Sequence, residues 1–139
     1  MKILRKDVDY AVRALVCVAL HNGTAVSSSE IAKSQKIPLP YLRRLLTVLI
    51  NAGLLRAKEG AGGGVTLAKD PRAITLPELA RIFQGDIEIS DCLYRGKPCE
   101  NRTTCPLRVR LKQAEDELVK KLEKVTIAEL ATDMRKKSS

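Results

Sequence analysis

Midway along the chain two short strand-like runs, LLRAKE and VTLAKD, flank the segment GAGGG at residues 60–64. Four of the chain's eight glycines lie in that one segment. Two extended runs around a glycine-bearing tip predict a β-hairpin. Nearly everything on either side of it is patterned for helix. A lone hairpin cannot build a sheet core of its own, so its place among the helices limits the folds available.

Upstream of the hairpin, residues 8–20 (VDYAVRALVCVAL) carry Val8, Ala11, Val12, Leu15, Val16 and Ala19 at helical spacing, dense enough for a buried helix. The turn His21-Asn22-Gly23 ends it. Ser27, Ser28 or Ser29 can cap a short helix SSEIAKSQ, with Ser27 and Glu30 in capping-box spacing. After KIPLP a longer helix is predicted over 40–53, with Pro40 in its first turn. Leu42, Leu45, Leu46 and Leu49 share one face of it, and Arg43, Arg44 and Thr47 fall largely on the other. Helix, short helix, turn, second helix and hairpin is the order of a winged helix-turn-helix. The predicted fold is therefore mainly α with a small β-hairpin wing.

Downstream, Asp70-Pro71 breaks the chain and TLPELARIFQG (75–85) reads as a helix capped by Thr75 and ended by Gly85. From Pro106 to Lys124 a long helix carries Leu107, Leu111, Ala114, Leu118 and Leu122 as an apolar stripe, and Thr126 starts a last short helix. Such a stripe can pack on its own domain. The first three helices and the wing already make a complete module, however, so the stripe predicts a symmetric partner. This divides the chain into a DNA-binding unit (1–85), a loop (86–105) and a dimerisation and C-terminal segment (106–139). No apolar run approaches the ~20 residues that span a bilayer. The opening MKILRKDVDYAVRALVCVAL has no small-residue cleavage site, so a cytoplasmic location is expected.

The net charge is +9, and residues 1–60 hold ten Lys or Arg against four Asp or Glu. That excess falls on the helix-turn-helix, as an electrostatic footprint for a polyanion would. Arg43 and Arg44 can donate to guanine or to phosphate. Either one alone is equally well read as part of a solvated face; element order and charge together favour double-stranded DNA. Arg56 and Lys58 on the hairpin suit phosphates, and Gly62 and Gly63 would let its tip approach closely. The remaining candidates for this surface are Ser28, Pro40, Tyr41 and Thr47. The glycines are not a phosphate-binding loop, because no Lys-Ser/Thr pair follows them.

Three cysteines, Cys92, Cys99 and Cys105, fall within the polar stretch SDCLYRGKPCENRTTCPL, while Cys17 lies in an apolar helix. Core packing does not call for thiols there. Their spacing fits the paired two-residue template of structural zinc poorly, and an odd number cannot all pair within one chain. Thiolates suit iron–sulfur chemistry, which ranks ahead of zinc and of a bare thiol switch. Against an enzyme or electron carrier stand the lack of a second cysteine set, the lack of a substrate-binding glycine motif, and a single histidine.

DYAVRALVCVAL, IPLPYLRRLLTVLINAGLL, GAGGGVTLAKD and three cysteines ahead of a long helix together resemble the IscR/NsrR/RirA family of bacterial iron–sulfur transcription regulators, over nearly the whole chain. The resemblance implies a homodimer crossed through the long helix, a roughly palindromic operator, and a cluster whose state sets DNA affinity. It implies Cys92, Cys99 and Cys105 as ligands. The histidine that IscR-like members use three residues after the third cysteine is Arg108 here, which cannot ligate. NsrR-like members use an acidic residue near the start of the first helix, and Asp9 holds that place, to be contributed by the partner subunit. A [4Fe–4S] cluster is thus expected ahead of [2Fe–2S], with nitric oxide, redox state or iron–sulfur status as the signal. By composition alone, an acidic residue favoured in a helical first turn is the better reading of Asp9; the resemblance and the absence of a usable histidine bring ligation level with it. Asp7 and Glu100 are the reserve ligands. Glu59 stands where IscR-like members carry Arg, so the operator is expected to differ.

Overall fold

The computed structural model describes residues 3–89 and 104–138. Among them are six α-helices and one two-stranded sheet: α1 (Lys6–Leu20), α2 (Ser28–Gln35), α3 (Leu39–Asn51), β1 (Leu55–Lys58), β2 (Gly64–Leu67), α4 (Leu76–Phe83), α5 (Pro106–Leu122) and α6 (Ile127–Ser138), with a 3-10 turn at Pro71–Ala73. The winged-helix order is the predicted one.

Helix α1 is the centre of the core, burying Val8, Ala11, Ala14, Leu15, Val16, Cys17, Val18 and Ala19. Small side chains on several sides let neighbouring helices pack around it. It begins two residues earlier than the apolar pattern alone suggests, because the polar first turn carries no periodic signal. The chain entering it is clamped by Gln84 after α4, whose Oε1 accepts from the Arg5 N–H at 2.8 Å and whose Nε2 donates to the Ile3 carbonyl at 2.9 Å. Asn22 and Gly23, both at positive φ, end the helix.

Of the three serines that could cap α2, Ser27 does so: its Oγ accepts from the Glu30 N–H at 3.1 Å. Lys36 leaves α2 in the left-handed conformation at φ +55° and turns the chain into α3. There Leu42, Leu45, Leu46 and Leu49 are buried, as their spacing predicts.

The hairpin is antiparallel, pairing Leu55 with Leu67, Arg56 with Thr66, Ala57 with Val65 and Lys58 with Gly64. Val26, just ahead of α2, acts as a one-residue third strand. Its N–H donates to the Val65 carbonyl at 3.1 Å and its carbonyl accepts from the Val65 N–H at 2.9 Å. Gly64 (φ +150°) makes this approach possible: a Cβ there would overlap the Val26 carbonyl and the Ser27 nitrogen. The wing is thus fastened to the head of the helix-turn-helix.

Thr75 caps α4, accepting from the Glu78 N–H at 3.4 Å, and Gly85 at φ +89° follows its end. Helix α5 buries no side chain. The chain then returns to the core. The Leu76 N–H donates to the Val125 carbonyl and the Ile127 N–H to the Ile74 carbonyl, both at 3.0 Å. Ile127 and Ala131 of α6 are buried in the same hydrophobic core as α1. The C-terminal helix therefore completes the core that the first four helices begin.

Candidate DNA interface and thiol site

Burying the four leucines of α3 forces its opposite face outward. Arg43, Arg44 and Thr47 are all exposed, and neither arginine is paired with a carboxylate among the described residues. The Thr47 hydroxyl donates to the Arg43 carbonyl of its own helix at 3.0 Å, leaving its methyl and a lone pair for a ligand. Val48 is also exposed, at 37%. It lies four residues after Arg44 on the outward face, where an apolar side chain can meet a thymine methyl. Sequence reasoning passed it over, although the spacing from Arg44 was there to be read.

Ser28 is half-buried at the first position of α2 and Pro40 is exposed at the second position of α3. Tyr41 is partly buried. Its ring packs edge to face with that of Tyr10 on α1, and the Arg44 guanidinium lies over it. Arg56 and Lys58 project from β1, both exposed. Gly62 is exposed at the wing tip. Gly63 also has an internal reason to be glycine, since a Cβ there would overlap the carbonyl oxygens of Lys58 and Gly60. Cationic side chains therefore come to the outer side of α3 and to the wing, and Val26 ties the wing to the residue ahead of α2.

Of the four candidate cluster ligands, Cys92 and Cys99 lie outside the described residues, as does the reserve Glu100. Cys105 is the residue that enters α5. Its side chain makes no capping hydrogen bond and it is half-buried. A helix N-terminus favours negative charge beside it, which suits a thiolate ligand. Asp9 is exposed in the first turn of α1, with Oδ2 3.3 Å from Arg13 Nη2. Asp7 is committed locally, its Oδ1 accepting from the Val8 N–H at 3.0 Å and its Oδ2 lying 3.8 Å from Arg5. Between the two, Asp9 is the carboxylate turned outward. No group of three or more metal-binding side chains forms among the described residues.

Cys17 is buried, with Sγ 3.7 Å from the Ser34 hydroxyl. His21 is turned toward its own helix: Nδ1 donates to the Cys17 carbonyl at 2.8 Å and Nε2 sits 3.6 Å from Glu30. At 1.5 Å per residue it stands about 18 Å from Asp9 along α1. Cys17 belongs to the core, and His21 makes its hydrogen bond within its own helix. No helix among the described residues is long and apolar enough to cross a membrane.

This chain is similar to known proteins along most of its length. It is 30% identical over 129 residues to the HTH-type transcriptional repressor NsrR of Streptomyces coelicolor, covering 91% of this chain and 86% of that one. It is 30% identical over 134 residues to the HTH-type transcriptional regulator IscR of Vibrio vulnificus, covering 96% and 79%. Among solved structures, CymR of B. subtilis superposes with a TM-score of 0.76 at 27% identity, covering 95% of this chain and 98% of that one. IscR of T. potens superposes with a TM-score of 0.74 at 26% identity, covering 96% and 88%. Residues 4–133 match the Rrf2 family, described as iron-dependent transcriptional regulators. With its exposed cationic α3 and its fastened wing, the chain belongs to the Rrf2 family: it is a DNA-binding transcription regulator, not an enzyme.

Proposed function

We propose that the chain is a homodimeric repressor of a pseudo-palindromic operator, and that an iron–sulfur cluster controls its affinity for DNA. Helix α3 would enter the major groove through Arg43, Arg44 and Thr47, and the wing would hold phosphates through Arg56 and Lys58. Cys92, Cys99 and Cys105 would hold the cluster, [4Fe–4S] ahead of [2Fe–2S], with Asp9 of the partner subunit as fourth ligand. The observation that carries this reading is Cys105: a thiol with no capping role, at the head of a helix that buries nothing. The similarity to NsrR and IscR supports it. The division at residues 85 and 105 belongs to the same proposal, with α6 packed on the first unit.

Such a cluster would supply iron open to attack by nitric oxide or oxidants. The chain's own part lies in α1, which joins Asp9 at one end to the core behind α3. A change in what Asp9 holds would bias the position of the reading helix. The test is anaerobic purification with iron, sulfide and zinc analysis and an absorption spectrum. About four irons and four sulfides per chain with a broad band near ~400 nm support the proposal. Two of each make the cluster [2Fe–2S] and reopen the fourth ligand. A colourless protein holding one zinc removes the sensing mechanism.

A second reading, a thiol-based regulator in the cytoplasm with no cluster, is favoured by the superposition on CymR, described as the global cysteine regulator of B. subtilis. It expects metal-free protein whose DNA affinity follows thiol oxidation.

A further inference from the structure

Arg44 is exposed and carries the chemistry to read DNA, yet a free arginine gives up rotamer freedom when it binds. Here its freedom is already curtailed. The guanidinium carbon lies 5.5 Å from the centroid of the Tyr41 ring, three residues earlier on the same helix face. Tyr41 is in turn fixed by a different element. The ring of Tyr10, on α1, meets it edge to face with centroids 5.5 Å apart and planes at 83°, a favoured geometry for an aromatic pair. Tyr10 is itself held by two cations, Lys6 Nζ at 5.3 Å and the Arg13 guanidinium at 5.8 Å from its centroid. Both tyrosines are partly buried against the hydrophobic core, so the arrangement has a rigid base.

We propose that Tyr10 is a positioning residue for DNA recognition: it braces Tyr41, and Tyr41 presents the Arg44 guanidinium to the groove. This rests on α3 being the DNA-reading helix. It extends that reading to a side chain of α1 that the core and the proposed Asp9 ligation leave unassigned. Tyr10 itself need not touch DNA. Its effect is transmitted through one arginine, and it therefore concerns the site Arg44 reads rather than the number of phosphates held.

The experiment is equilibrium binding of the full chain to a duplex selected in vitro from a random library by the wild-type protein, and to a scrambled duplex. Tyr10→Leu is expected to weaken binding to the selected duplex about fivefold, the equivalent of about 1 kcal/mol. The salt slope should not move, because the phosphate contacts are kept. Tyr10→Phe, which keeps the ring, should bind within about twofold of wild type. In an Arg44→Ala background the Tyr10→Leu loss should vanish, since a double-mutant cycle isolates the coupled part. An equal loss in both backgrounds would overturn the proposal and leave Tyr10 a core residue. Tyr10→Met carries the same cycle if Tyr10→Leu melts below the assay temperature. If the wild-type protein selects no duplex, the DNA-reading assignment of α3 fails and this inference falls with it. Selection that succeeds with no Tyr10 effect sinks the inference alone.

Discussion

Helices α1 and α5 are nearly equal in length, 15 and 17 residues, and both carry apolar stripes, but they do opposite things. Eight side chains of α1 are buried, whereas none of α5 is, and Leu107 and Val109 there are 51% and 53% exposed. The difference lies in what surrounds the stripe. In α1, alanines and Cys17 let helices approach from several sides. In α5, lysines, arginines and carboxylates leave a single narrow seam. A helix apolar on most of its circumference becomes a core, while one with a narrow seam needs a second surface to cover it. The proposed dimer would supply that surface.

If the comparison holds, substitution in α1 should act on stability and substitution in α5 on association. Leu15→Ala, at a fully buried site, is expected to cost about 2–5 kcal/mol in urea unfolding. A loss under ~1 kcal/mol would mean α1 is not the centre of the core. The two described cysteines offer a cleaner contrast. Cys17→Ala should cost about 1 kcal/mol by leaving a small cavity and retain all bound iron. Cys105→Ala should change the stability of the iron-free protein by less than ~0.5 kcal/mol and abolish iron binding. Colourless Cys17→Ala protein would reverse the ligand assignment. Val109→Glu should leave the unfolding midpoint of dilute protein unchanged and weaken self-association at least tenfold by sedimentation equilibrium; an unaltered dimer would remove α5 from the interface.

The smallest effect concerns charge on α5. Lys112 is held above its ordinary pKa, first by its hydrogen bond to Glu115 at 2.9 Å and then by the charges of Glu115 and Asp116. Because the folded value is raised, this contribution is present below the unfolded lysine pKa and disappears as pH rises through the folded one. Lys112→Gln should therefore leave the melting temperature at pH 7 almost unchanged, because the pair is exposed. It should also flatten the alkaline decline slightly. A large loss at neutral pH would show that the outer face of α5 does more than stay solvated.

What could be read in the sequence was local. Leucines at three- and four-residue spacing, the Ser27–Glu30 cap and the glycine-rich tip each act within a few residues, and α1 to α4 and the wing follow from them. What could not be read joins distant segments. The packing of Ile127 and Ala131 on α1, the bridge from Val26 to Val65, and the Tyr10–Tyr41 pair depend on how completed elements meet, which no window of residues encodes. The thiol site divides likewise. Cys105 could be singled out because a polar stretch has no packing use for it, and the resemblance had already placed Asp9 ahead of Asp7. What the sequence did not announce is how the two acids differ locally, Asp7 held by the Val8 N–H and Asp9 turned outward beside Arg13.

Gly64 has a consequence for what this regulator can recognise. Because the hairpin is stitched through it to the residue ahead of α2, the proposed reading helix and the wing would act as a caliper with fixed jaws. Such a tool measures before it reads. On that proposal a duplex whose neighbouring grooves lie at the wrong separation would be rejected whatever its bases, and a side chain introduced at Gly64 would change the gauge itself.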